Sequence, residues 1–62
     1  MNFPNIIKAL RENLLVTQTE LANMLGVSFA TVNRWENGHF EPSIRQRRMI
    51  RDLCRKNKIP FE

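Results

Sequence analysis

The sequence predicts an all-α fold of four short helices, and three observations predict it. Residues favoured in strands never fall into an alternating run, Tyr is absent and only two Gly are present, so a sheet has no support. Ser, Thr, Gly and Pro recur where helices would start and stop. The length of 62 residues leaves room for one small core. A chain of that size buries only about 60% of the surface its unfolded form exposes, which favours close-packed helices. One domain is expected over residues 1–62, with 57–62 as a short tail.

The first helix is expected over about residues 4–14, because Pro4 suits the first helical position and Ile6, Ile7, Leu10 and Leu14 recur at helical spacing. Thr17 and Glu20 then form a capping box, the hydroxyl accepting from an early backbone N–H and the carboxylate reaching back to the cap. They open a second helix, about 18–25, with Leu21, Ala22, Met24 and Leu25 as its packing surface. Gly26 can end it in the left-handed conformation, after which Val27 turns back to the core. Ser28 caps a third helix, about 29–37, that stops at Gly38. Ser43 and Gln46 form another capping box and begin a fourth, about 43–56, ahead of Pro60.

Composition narrows the function classes. Cys54 is the sole cysteine and has no Cys/His cluster around it, so neither a disulfide nor a zinc site is expected and the compartment is expected to be reducing. No apolar stretch approaches the roughly 20 residues that cross a membrane, and the first residues lack a secretory layout, so the expected location is the cytoplasm. His39 is the sole histidine, and no carboxylate pair or glycine-rich phosphate loop is present. No enzyme, no metal and no cofactor are expected. Net charge is +4, but residues 1–42 carry three Lys/Arg against four Asp/Glu, while residues 43–62 carry seven against two. The asymmetry suggests nucleic acid as partner, with an anionic membrane surface second. The membrane is discounted because the apolar residues of helix 4 are needed for the core.

Two short helices joined by a tight, Gly-containing turn, with a third before them, match a helix-turn-helix layout. The stretch QTELANMLGVSFATVNRWENGHFEP closely resembles the Cro-type, or Xre-type, helix-turn-helix family of phage repressors and bacterial regulators. Gln18, Leu21, Ala22, Gly26, Val27, Ser28, Val32, Trp35, Glu36, Asn37, Gly38 and Pro42 carry the resemblance. It extends back through Leu10 and Arg11 and covers about two-thirds of the chain. It implies a compact four-helix, lambda-repressor-like domain that places helix 3 in the DNA major groove.

The periodicity of helix 3 separates its faces independently. At about 100° per residue from Ser28, Val32 and Trp35 fall near 40° and 340° and define the buried side. Phe29, Asn33, Asn37, Ala30 and Arg34 fall between about 100° and 240°, on the opposite arc. Asn can pair bidentately with adenine and Arg with guanine, and an apolar group can meet the thymine methyl. The resemblance puts base contacts first on Phe29 and Ala30, then on Asn33 and Arg34. Phe29 departs from the polar residues often found there: its ring either meets a base methyl or folds back over Val27 or Leu25. Ala30 either contacts a base or is small to let the backbone approach, and Asn33 and Arg34 otherwise form an ordinary solvated face.

Phosphate contacts are expected from Gln18 by resemblance, since a side-chain amide beside free helix N–H groups can grip a phosphate. Ser28, Asn37 and Arg45 are the further candidates, Asn37 doubling as a turn residue before Gly38. Arg11 and Glu36 match family positions that often form an ion pair, the alternative being two unrelated surface charges. On helix 4, Gln46, Met49, Ile50, Leu53 and Cys54 share an arc of about 140° opposite Arg47, Arg48, Arg51 and Arg55. Family members often carry apolar residues in place of Arg47 and Arg48, which leaves the docking of helix 4 open. The arginine row is either a solvated face or an extra surface for phosphate or a partner.

The leading expectation is a sequence-specific double-stranded DNA-binding protein, a transcriptional regulator and a repressor before an activator. The alternative is an antitoxin-like or DNA-targeting module acting through a protein partner, for which Phe40, Ile59 and Phe61 would be the free apolar surface. Those residues otherwise pack as a tail over helix 1. A homodimer on DNA, through helix 4 and the tail, and a monomer both fit the sequence.

Overall fold

A computed structural model describes residues 2–61 of the chain. Its elements are α1 (Phe3–Leu14), α2 (Gln18–Leu25), α3 (Phe29–Glu36) and α4 (Ile44–Lys56), with no strand among the described residues. The fold is all-α, and the helices lie within a residue of their expected ends. The boundaries follow from local chemistry. Thr17 Oγ1 accepts from the Glu20 backbone N–H at 3.1 Å while Glu20 Oε1 accepts from the Thr17 N–H at 2.9 Å. Ser43 and Gln46 make the same reciprocal pair at 3.2 and 2.8 Å. Helix α1 starts one residue earlier than its proline suggests, because Asn2 caps it: its side chain accepts from the Asn5 N–H.

Helices α1, α2 and α4 each end with a bend that directs the next apolar residue inward. Gly26 takes φ 68° and lets the Val27 N–H reach the Ala22 carbonyl at 2.9 Å. Leu15 does the same for α1 at φ 56° without being glycine, and Val16 donates to the Arg11 carbonyl. The side chain of Leu15 is 90% exposed, so this left-handed residue gains little from packing.

The core is a single cluster. Ile6, Ile7 and Leu10 of α1 meet Leu21, Ala22 and Leu25 of α2, Val32 and Trp35 of α3, and Ile50 and Cys54 of α4. Helix α3 packs on both α1 and α2, and α4 closes the assembly against α2. The radius of gyration, 10.1 Å, matches the roughly 10.5 Å expected of a fully packed chain this long. Met24, expected to pack, is 51% exposed instead, because Leu21, Ala22 and Leu25 already fill the inward stripe of this two-turn helix.

The tail corrects the expectation of a free apolar surface at Phe40, Ile59 and Phe61. Ile59 is buried, its N–H donating to the Cys54 carbonyl at 2.8 Å. Phe61 meets Phe3 edge to face, with ring centroids 6.0 Å apart and planes at 63°. Covering two apolar side chains on α1 is worth more than leaving them in water, so of the three only Phe40 stays exposed.

Helix α4 docks through an arginine where an apolar residue was the family pattern. Arg47 is half-buried, its Nε donates to the Pro42 carbonyl at 3.0 Å, and its guanidinium lies 5.3 Å from the Phe3 ring centre. The long stem covers apolar surface while the head finds an acceptor and a ring face. Arg47 is thus absorbed by the fold. Arg51 leans on Asp52, and Arg45, Arg48 and Arg55 make no ion pair among the described residues.

Candidate nucleic-acid interface

Helix α3 is held on two sides and open on a third. Val32 and Trp35 are 0% and 2% exposed and lock its inner face. Its C-terminal end is tied to α1 by Arg11, which donates from Nε to Glu36 Oε2 at 2.6 Å and from Nη2 to Oε1 at 2.9 Å. Glu36 is 5% exposed, and it is the one charged residue of the core among the described residues. The paired carboxylate raises the pKa of the Arg11 guanidinium above its ordinary value, chiefly through the hydrogen bond, while burial works against it. A planar, two-toothed grip of this kind fixes direction as well as distance. It sets how α3 leaves the core.

The open face carries Phe29, Ala30, Arg34 and Asn37, all exposed, with Asn33 and Thr31 half-buried beside them. Phe29 does not fold back to close the core: it is 51% exposed and stands outside the buried cluster. Ser28 caps the helix, its Oγ accepting from the Thr31 N–H at 3.1 Å and lying 2.9 Å from the Thr31 hydroxyl. Arg34 leans along the helix toward the α3–α4 connection, where its guanidinium sits 5.5 Å from the centre of the Phe40 ring. Thr31, Trp35, Glu41 and Gln46 complete the shallow recess around that stack.

Gln18, Asn33 and Asn37 are brought together. Asn33 Nδ2 donates to Gln18 Oε1 at 3.3 Å, and Asn37 Nδ2 donates to Asn33 Oδ1 at 3.0 Å. The chain of amides joins the first residue of α2 to the middle and the cap of α3. Beside it, the backbone N–H groups of Gln18 and Thr19 have no partner within the helix, since the capping box satisfies those of Thr17 and Glu20 and Leu21 donates to Thr17. Arg45 is elsewhere. It lines a groove with Ser43 and Met49 against Gly26 and Val27, at the far end of α2 from Gln18.

Sequence reasoning missed three contacts here, one of which had a signal in the sequence. The Asn33–Asn37 bond has the four-residue spacing that places side chains together on a helix and was legible in that spacing. The Gln18–Asn33 bond spans the turn between α2 and α3, and Phe40 meets Arg34 from a connection with no periodicity. Neither follows from a helical wheel.

No helix among the described residues is long and apolar enough to cross a membrane. A family model described as helix-turn-helix matches residues 7–55. No curated protein and no solved structure matches the chain.

Proposed function

The chain belongs to the Cro/Xre-type helix-turn-helix family of DNA-binding proteins, and from that premise we propose that it is a sequence-specific transcriptional regulator that reads the major groove with α3. The observation that carries this reading is the composition of the face α3 leaves free: an aromatic ring, a methyl, an amide and a guanidinium on one rigidly anchored helix. In this reading Arg34 pairs with guanine, Asn33 with adenine, and Phe29 and Ala30 meet thymine methyls. Arg34 must first leave Phe40. An exposed cation–π stack is worth about 0.5–1 kcal/mol, whereas a bidentate base contact discriminates by about 1–3 kcal/mol, so the exchange favours DNA.

Phosphates would be held by the Gln18 amide with the uncommitted N–H groups at the start of α2, and by Ser28 and Asn37 flanking α3. Arg45 adds charge from α4 rather than from the α3 face, and the net positive balance of residues 43–62 favours approach to the duplex. Repression is proposed ahead of activation, because occupancy of the site is then the whole output and binding, not catalysis, is the activity. The proposed location is the cytoplasm, and the whole of 1–62 is proposed to act as one unit.

Selection of bound duplexes from a random pool, at two salt concentrations, tests the reading. An enriched motif that persists at the higher salt is expected, and Arg34→Ala should flatten it at one position. Salt-sensitive binding with no enriched motif would overturn sequence-specific regulation. Motif symmetry at a spacing of about 34–36 Å would identify a dimer on DNA.

A further inference from the structure

We propose that Phe40 is a specificity-determining residue: its ring gives the Arg34 guanidinium a resting place off the DNA-facing arc of α3, and so broadens the base preference that Arg34 imposes. The proposal rests on the reading that Arg34 pairs with guanine. The turn after α3 builds the resting place. Gly38 takes φ 75° and donates to the Trp35 carbonyl at 3.2 Å, while the His39 N–H donates to the Arg34 carbonyl at 3.0 Å. Just beyond Phe40, the side chain of Pro42 is fully buried. The chain is thus fastened on both sides of Phe40, yet Phe40 itself is 60% exposed and stands outside the core. What its ring covers is a cation. The Arg34 guanidinium lies 5.5 Å from the ring centre and makes no ion pair among the described residues. The neighbouring Glu41 carboxylate faces Arg47 instead, at 3.5 Å.

An exposed cation on a ring face is a weak contact, and its effect on DNA depends on which base is present. With guanine in place, Arg34 leaves the ring and donates to both N7 and O6. The complex forgoes the stack, and affinity for guanine is lower by the worth of the stack, about two- to fivefold. With any other base in place, a guanidinium in the groove would give up water without gaining two acceptors on one base. Arg34 then stays on Phe40, at no cost relative to the free protein. The ring therefore weakens the matched complex and spares the mismatched one. The preference for guanine is smaller than the base contact alone would make it.

The test uses the full chain and the selected duplex, with the other three bases placed in turn at the position that Arg34→Ala flattens. Competition binding gives the affinity for each duplex. Phe40→Ala should bind the guanine duplex about two- to fivefold more tightly, gain nothing comparable on the other three, and raise the preference for guanine by the same factor. Phe40→Tyr keeps the ring face and should behave as the unsubstituted protein. Adding Phe40→Ala to Arg34→Ala should leave every affinity where Arg34→Ala alone sets it. An unfolded fraction scales all four affinities alike, so it cannot sharpen a preference. Phe40→Ala with an unchanged or reduced preference for guanine would overturn the proposal, as would sharpening by Phe40→Tyr to the same extent. A change on adding Phe40→Ala to Arg34→Ala would overturn it too, by showing that the ring acts on DNA without the guanidinium. These results leave the guanine reading standing, since Arg34→Ala has flattened its position. If Arg34→Ala flattens no position, base reading by Arg34 fails and the proposal with it.

Discussion

Replacing Arg11 by Ala strands a carboxylate in the core, and the cost can be worked from the geometry. Glu36 is 5% exposed and takes both of its side-chain hydrogen bonds from Arg11, at 2.6 and 2.9 Å. Removing one partner of a buried pair costs about 3–5 kcal/mol, because the remaining charge keeps its desolvation and loses its compensation. The Arg11 side chain is 27% exposed, so water can enter the space it vacates, which sets the expectation near the lower end, at about 3 kcal/mol. At roughly 0.05–0.15 kcal/mol per residue, a domain of this length has about 3–9 kcal/mol in total. The substitution would remove a third of that or more. The midpoint should fall by about 12 °C or more. Trp35, the single tryptophan and 2% exposed, reports unfolding in urea or on heating by its fluorescence. Arg11→Met combined with Glu36→Leu should recover most of the loss, since an apolar pair needs no compensation. A cost below about 1 kcal/mol for Arg11→Ala would refute the buried pair as the tie between α1 and α3.

Leu15→Gly should stabilise the protein by about 1 kcal/mol, because a leucine at φ 56° and 90% exposure bears the left-handed penalty with little packing in return; an unchanged or lower thermal midpoint would contradict this. Phe61→Ala should cost about 1–2 kcal/mol through loss of the edge contact with Phe3 and of partial burial, and a neutral result in urea unfolding would show the tail unpacked. Burial raises the Cys54 thiol pKa, so as pH passes about 8.5 the unfolded chain ionises first. The folded form then holds the extra proton and stability declines with rising pH. Between pH 8 and 10 the midpoint of the unsubstituted protein should fall more steeply than that of Cys54→Ala; parallel slopes would contradict it.

The helices were legible because their ends are written in local chemistry. Thr17 with Glu20, Ser43 with Gln46, and Gly26 at positive φ each act within a few residues, and apolar spacing supplies the inward stripe between them. What periodicity could not show lies across the fold. Arg47 reads as one more cation on a polar face until Phe3 and the Pro42 carbonyl are set beside it. Ile59 and Phe61 read as a loose apolar end until the bend at Lys58, φ 57°, returns them to α1. The open arc of α3 followed from Val32 and Trp35 facing inward. The bond between Gln18 and Asn33 did not, because these partners are 15 residues apart and meet only once the turn at Gly26 has formed.

The most direct test is whether the open face of α3 enters the major groove. Intermolecular nuclear Overhauser contacts on the selected duplex would measure it, with thymine methyl and base protons as reporters on the DNA. The account predicts contacts from the Phe29 ring and the Asn33 side-chain amide to major-groove protons. Contacts confined to the basic face of α4, with none from α3, would contradict it.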